Sequence, residues 1–230
     1  MKRTMVILVG LVLSLQLQAC ATKQASLRKN PAIKKVAVVS LSVSDWGGSV
    51  QANNVSRTSA NKLIQDSINS LLTYTERELG TRWEVRKAAT FVGNGSYRKQ
   101  GVDSALTVYV PRLKGKDMPV FTNVSREIKR GDLDAARARA LCKTLQVDAV
   151  VLVFSEWTAK TGGFVPITKA VTKNIVSVWD AQGKKLAMRR VDTMGAKPLG
   201  ALGIKTVNQT TIAEWTDTYK RSITQIVKQL

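Results

Sequence analysis

The chain of 230 residues contains no histidine, and that absence removes a large share of enzyme chemistry. Without imidazole there is no Ser-His-Asp or Cys-His catalysis, no His-ligated metal, and no customary proton shuttle near neutral pH. Cysteine is nearly missing as well: only Cys20 and Cys142 occur. Acidic residues are scarce, 16 Asp+Glu against 36 Lys+Arg, for a formal net charge of +20. A surface of that sign attracts anions such as phospholipid head groups, lipopolysaccharide phosphates, acidic glycans or nucleic acid, and charge alone does not choose among them. The glycine spacings of phosphate-binding and dinucleotide-binding loops are absent. Gly93-Asn94-Gly95 is not read as opening a helix of the kind such loops need, so no cofactor is expected. There is no internal repeat and no low-complexity tract.

What is present begins at the first residues. Lys2 and Arg3 precede a run from Met5 to Leu17 that is apolar except at Gly10, Ser14 and Gln16. The run is shorter than the ~20 residues that a membrane-spanning helix needs. It fits the apolar centre of an export signal. Leu17-Gln18-Ala19-Cys20 follows, and this tetrad resembles the lipobox of bacterial lipoproteins. The resemblance implies that residues 1–19 are a signal peptide cut before Cys20. It also implies that the Cys20 thiol receives a diacylglyceryl group and that the new amino group takes a further palmitate-type chain. Each buried CH₂ contributes about 0.8 kcal/mol, so several chains give stable attachment. Ala21 after the cysteine resembles the pattern that permits transfer to the outer membrane, which implies a lipid-held protein on its periplasmic face. An acylated Cys20 leaves Cys142 without a disulfide partner, and the core must then carry the stability. Cys142 lies among apolar residues of an expected helix and reads as a small buried hydrophobe. Residues 20–34 read as a tether, with Lys23, Arg28, Lys29 and Lys34 and no acid. An anionic bilayer would hold such a segment by about 1 kcal/mol per well-placed cation.

From residue 35 to 230 the pattern is that of one α/β domain. Lys35–Val43 starts as a continuous β-branched run and then alternates, as a strand covered on both sides does. A helix is expected over 59–79, with Ile64, Ile68, Leu71, Leu72, Thr75 and Leu79 on one side and Gly80 just beyond. Trp83–Val92 reads as a strand, and 97–125 as irregular. Asp132 reads as the cap of a helix carrying Ala135, Ala138, Leu141, Cys142 and Leu145. Ala149–Phe154 is the most apolar run after the leader and reads as a buried strand. Asn174–Trp179 and Lys184–Val191 read as a hairpin turned at Asp180-Ala181-Gln182-Gly183, with Gly183 suited to a positive φ. Gly195, Gly200 and Gly203 read as a loop. It leads to a last helix capped by Thr211 and Glu214, with Ile212, Trp215, Tyr219, Ile223, Ile226 and Leu230 on its apolar side. These elements make an α/β (α+β) fold: a single mixed β-sheet of about five strands flanked by helices.

This order, with the lipobox and the junction Ala140-Leu141-Cys142-Lys143-Thr144-Leu145-Gln146-Val147-Asp148-Ala149-Val150-Val151-Leu152, resembles the periplasmic α/β domain of CsgG-type, TolB amino-terminal and PelC-type proteins. The resemblance implies a non-enzymatic accessory or assembly component of the envelope, of secretion or export type. Its partners would be envelope proteins or further copies of itself in a homo-oligomer. It departs from the CsgG type in that segments 157–173 and 192–208 are short and rich in Gly and Lys, without clear barrel-building alternation, so a pore is not expected.

Three groups of residues are candidates for function. The apolar Gly162–Ile167 loop, with Phe164, Val165 and Ile167, is either a partner- or membrane-contacting loop or a packed crossover between strands. Arg112, Lys114, Lys116, Lys184, Lys185, Arg189 and Arg190 would bind an anionic glycan, such as lipopolysaccharide or an acidic polysaccharide, or an anionic lipid if they share one face. Otherwise they are a dispersed solvated surface. Trp46 and Trp157 are candidate glycan platforms or ordinary packing residues. Glu156 and Asp180, at strand ends, read as salt-bridge partners rather than as a catalytic carboxylate pair. Export and the scarcity of exposed-looking aromatics disfavour nucleic acid.

Overall fold

The computed structural model describes residues 32–45, 57–201 and 204–230. The expected signal, Cys20, most of the expected tether, and Trp46 with Gly47 and Gly48 lie outside the described residues.

β1 (Lys35–Asp45) is buried along almost its whole length, because it sits inside a six-stranded sheet of order β2-β1-β5-β6-β7-β8. It pairs in parallel with β2 (Glu84–Val85) and with β5 (Ala149–Gly162). β6 (Ile167–Asp180), β7 (Lys185–Ala201) and β8 (Ile204–Lys205) continue from β5 as an antiparallel meander. The expected mixed sheet between helices is therefore present. A register shift between Val38 and Ser40 explains the two halves of β1's sequence. The bulge reverses the phase, so Val36 and Val38 before it and Leu41 and Val43 after it share one side. Tyr97, fully buried, donates its hydroxyl to the Val39 carbonyl at this bulge, 2.6 Å away.

One side of the sheet is covered by α1 (Arg57–Leu79) and α5 (Gln209–Gln229). α5 lays Ile212, Trp215, Tyr219, Ile223 and Ile226 on β6 and β7, a spacing of three and four that keeps them on one stripe. Trp215 stacks on Trp157 of β5 with ring centroids 6.3 Å apart. The two helices meet through Thr75 Oγ1 and the Tyr219 hydroxyl (2.6 Å) and through Tyr74 and Thr224 (2.7 Å). The cap of α5 is Asn208, in a reciprocal box with Thr211, rather than Thr211 with Glu214. Asn208 wins because its short carbonyl side chain reaches both the Thr210 and Thr211 amides at 2.9 Å.

The opposite side is covered over its first half only. α4 (Ala135–Leu145) packs there, with Ala138, Leu141, Cys142 and Leu145 buried. It is preceded by α2 (Gly95–Arg98), the small hairpin β3 (Arg112–Leu113) and β4 (Lys116–Asp117), and α3 (Ser125–Ile128). The cap of α4 is Asp134, not Asp132, whose carboxylate pairs instead with Lys185. Gly131 joins α3 to the sheet: its carbonyl accepts from Ser177 Oγ and Trp179 Nε1, and a Cβ there would lie 2.5 Å from Ser177 Oγ.

Two strand expectations change. Trp83–Val92 is a strand for two residues only. After Arg86 donates to Val36 the chain turns into a 3₁₀ segment, Ala88–Thr90, held by Glu76 Oε1 accepting from the Ala88 amide at 2.6 Å. Conversely β5, β6 and β7 run far beyond the apolar stretches that announced them. The Gly195–Gly200 region is strand, and Gly162–Ile167 is an open hairpin turn rather than a crossover.

Candidate functional site

Beyond α3 and α4 the sheet has a side left bare by the described residues, and the register states which residues share it. Phe154, Ile175 and Arg190 form one rung, and Glu156, Lys173 and Asp192 the next. Thr158, Val171 and Met194 follow, then Lys160 opposite Lys169, then Gly162 and Ile167 at the turn. Successive strand residues alternate sides, so this ladder faces away from α5. The side facing α5 holds Trp157 and a buried polar chain: Trp157 Nε1 donates to Ser155 Oγ (3.0 Å), which donates to Asn174 Oδ1 (2.6 Å), while Asn174 Nδ2 donates to Thr172 Oγ1 (2.8 Å).

Glu156 is the centre of the first part of the ladder and is only 5% exposed. Lys173, its direct cross-strand neighbour, lies 2.5 Å from Oε1, and Lys129 at the end of α3 lies 3.1 Å from Oε2. Burial pushes this carboxyl's pKa up, but the two ammonium hydrogen bonds and charges outweigh it, and the net shift is downward. Arg190 forks onto Asp192 at 2.9 and 2.8 Å, and this hydrogen bond raises its pKa. Lys129, Phe154, Glu156, Lys173, Ile175 and Arg190 enclose a cavity of about 190 Å³. The rim carries three cations and one buried acid, with Asp192 beside it. Such a concavity suits an anionic group better than a cation.

Of the seven basic residues singled out from sequence, only Arg190 joins this site. Arg112, Lys114 and Lys116 lie on the β3–β4 hairpin beside α1, where Asn69 brackets the Arg112 backbone and Arg112 pairs with Asp117 at 3.3 Å. Lys184 and Lys185 lie at the β6–β7 turn, and Lys185 sits 5.1 Å over the Trp179 ring. Arg189, next to Arg190 on β7, points to the other side of the sheet. Lys129, Lys173, Lys160 and Lys169 belong to the bare side instead. The signal of Lys160, Lys169 and Lys173 was strand phase, which only the full length of β5 and β6 reveals, whereas Lys129 reaches the site from the end of α3.

Phe164, Val165 and Ile167 come together with Met194 at the turn end, all exposed, and Phe164 wholly so. Lys160 and Lys169 flank them.

The remaining reactive groups are engaged. Glu156 pairs opposite Lys173 and Asp180 opposite Ala149. They lie seven rungs apart along the ribbon, roughly 23 Å, which is too far for a glycosidase pair. Asp180 Oδ1 accepts from the Gln182 and Lys184 amides and holds the turn. Cys142 is buried, and desolvation followed by the Asp180 and Asp148 charges pushes its pKa up to about 12, so it carries no thiolate near neutral pH. Among the described residues no three Cys, Asp or Glu side chains converge to hold a metal.

No family model matches the chain, and no curated protein matches it. Among solved structures it is similar to lipoprotein GNA1162 from Neisseria meningitidis at 9% identity and TM-score 0.38, covering 85% of this chain and 99% of that one. It is similar to the LpoB C-terminal domain from Salmonella enterica at 10% identity and TM-score 0.31, covering 78% and 90%. A putative neuraminyllactose-binding hemagglutinin homolog from Helicobacter pylori is similar at 7% identity and TM-score 0.35, covering 87% and 86%. At TM-scores below 0.5 these likenesses decide neither fold nor function.

Proposed function

We propose that this protein is a lipoprotein of the bacterial envelope, cleaved before Cys20, lipid-anchored to the periplasmic face of the outer membrane, and acting as a non-catalytic accessory component through binding. The anchor reading is supported by the tetrad Leu17-Gln18-Ala19-Cys20 at the end of a short apolar leader. The binding reading is carried by one observation: among the described residues half of one sheet side is uncovered, and Lys129, Glu156, Lys173, Arg190 and Asp192 on it are locked in ion pairs rather than poised for proton transfer. Asp148 Oδ2 accepts from the Lys34 and Lys35 amides, each at 2.8 Å, and so fixes the start of β1 to the sheet.

Mass spectrometry of the protein from native membranes tests the anchor. A triacylated or diacylated Cys20 as the first residue is expected, and Cys20→Ala should leave the membrane fraction. An intact leader or an unmodified Cys20 thiol rules the anchor out. In-cell cross-linking from position 190 or 173 tests the binding role, with a defined envelope protein or a second copy as the expected product.

A second reading, an anion-binding module for lipopolysaccharide or an acidic polysaccharide, is favoured by the cation surplus around Glu156. Its affinity must fall steeply with added salt. Binding insensitive to salt, or unaffected by Lys129→Ala with Arg190→Ala, rejects it.

A further inference from the structure

The outer part of the ribbon, beyond the last described β1 pairing at Trp157, carries an arrangement that is unfavourable for the isolated protein. Lys160 lies directly opposite Lys169 in the β5–β6 register. Like charges in that position repel. Neither lysine forms an ion pair among the described residues. Residues 157–173 contain no acid at all. On the same side and next to the lysines, Ile167, Met194, Val165 and a wholly exposed Phe164 form an apolar tip. The other side of the ribbon is occupied: Trp215 Nε1 donates to the Thr158 carbonyl at 2.8 Å, and Ala170, Thr172 and Leu199 are buried. Among the described residues the ribbon therefore presents one apolar, positively charged side and hides the other.

We propose that this side of the β5–β6 ribbon docks on an anionic phospholipid bilayer, with Phe164 and Val165 seated at the headgroup–acyl boundary and Lys160 and Lys169 on lipid phosphates. A phosphate surface neutralises the facing lysines, and their methylene stems lie along the apolar rim while the ammonium groups reach the headgroups. A second copy of the chain is a poor occupant, because a two-fold contact through this side would set lysine against lysine. The inference rests on the lipid anchor, and the lengths agree. Ala149 lies abreast of Val36, two residues past the tether, and β5 extends from there about 43 Å to Gly162 at about 3.3 Å per residue. The tether of residues 20–34 reaches about 50 Å when extended. Anchor and tip can thus meet one bilayer with the domain lying along it.

The test uses the lipidated protein in vesicles of phosphatidylcholine alone or with phosphatidylglycerol added. An environment-sensitive fluorophore is placed by F164C, or by S70C on α1 as a control on the opposite side. Cys142 is buried and stays unlabelled, and acylated Cys20 is blocked. With phosphatidylglycerol present, the F164C label should shift to the blue and be quenched by doxyl lipid, while the S70C label does neither. Adding K160E and K169E should lower the ratio of inserted to uninserted tip by more than about thirtyfold, the factor expected for loss of the two cations alone. Protein that floats with the vesicles while the F164C label stays as wet as the S70C label overturns the docking, as does insertion indifferent to the two charge reversals, and the tip then belongs to a protein partner. Protein that does not float overturns the anchor and the docking together.

Discussion

Glu156 shows how much one side chain depends on its setting. It is nearly buried, yet ionised, because Lys129 and Lys173 each donate to one of its oxygens. A carboxyl whose folded pKa lies below its unfolded value, about 4.3, adds stability above that value and loses it as pH falls through the folded pKa. Glu156→Gln should therefore lower stability by about 1–2 kcal/mol at neutral pH, screening by the partly exposed lysines keeping the figure modest. The gap to the parent should close below about pH 4, which urea titrations across pH would record; a gap independent of pH contradicts the pairing. Cys142 offers the converse case. Buried and held as a thiol, it should resist maleimide in the native protein at mildly alkaline pH and react at once in denaturant. Rapid labelling of the native state would contradict its burial. Its environment was readable from apolar neighbours at helical spacing. The ion pairs of Glu156 were readable only as a type of contact, since Lys129 and Lys173 are far from it in sequence.

Elements show the same division. The Asp180–Gly183 turn was legible because turn chemistry is local: Gly183 has φ +79°, which an L side chain rarely adopts. What sequence did not show is the second constraint. A Cβ on Gly183 would lie 2.4 Å from the Ala135 carbonyl at the start of α4. Gly183→Ala should thus cost about 2–3 kcal/mol through strain and displacement of α4 together, seen as a lower urea midpoint with unchanged slope. A change under about 0.5 kcal/mol, the scale of an ordinary surface substitution, would mean that the turn relaxes. The helix caps were misplaced by two or three residues at Asp134 and Asn208, because several Asp, Asn, Ser or Thr side chains compete near a helix start and geometry picks one.

Over the whole molecule the layers are unequal. The inner half of the sheet lies between α1 with α5 and the 88–145 region, whereas among the described residues the outer ribbon is covered on one side only. Amide exchange should follow this. Residues 36–43 and 149–154 should be the slowest, and 158–162 with 167–171 should exchange faster by local opening. Hydrogen-exchange mass spectrometry would show this gradient along β5 itself. Uniform protection from Ala149 to Gly162 would indicate a second covering layer in solution. Addition of anionic vesicles should raise protection selectively in the outer segment.

The chain's own order of residues determined the class of fold and the elements whose apolar residues recur at a regular period: β1, α1, α4, the inner part of β5 and α5. Those signals are local, because a helix or a half-buried strand writes its period into adjacent residues. Only the tertiary structure decided how far β5, β6 and β7 extend and which lysines meet. In the outer ribbon the buried positions include the polar Ser155, Thr168, Thr172 and Asn174, bonded to one another or across the strands, and the open ones include lysines. With polar residues on both sides, hydropathy has no alternation to display, and the pairing of Lys160 with Lys169 exists only once the register is set.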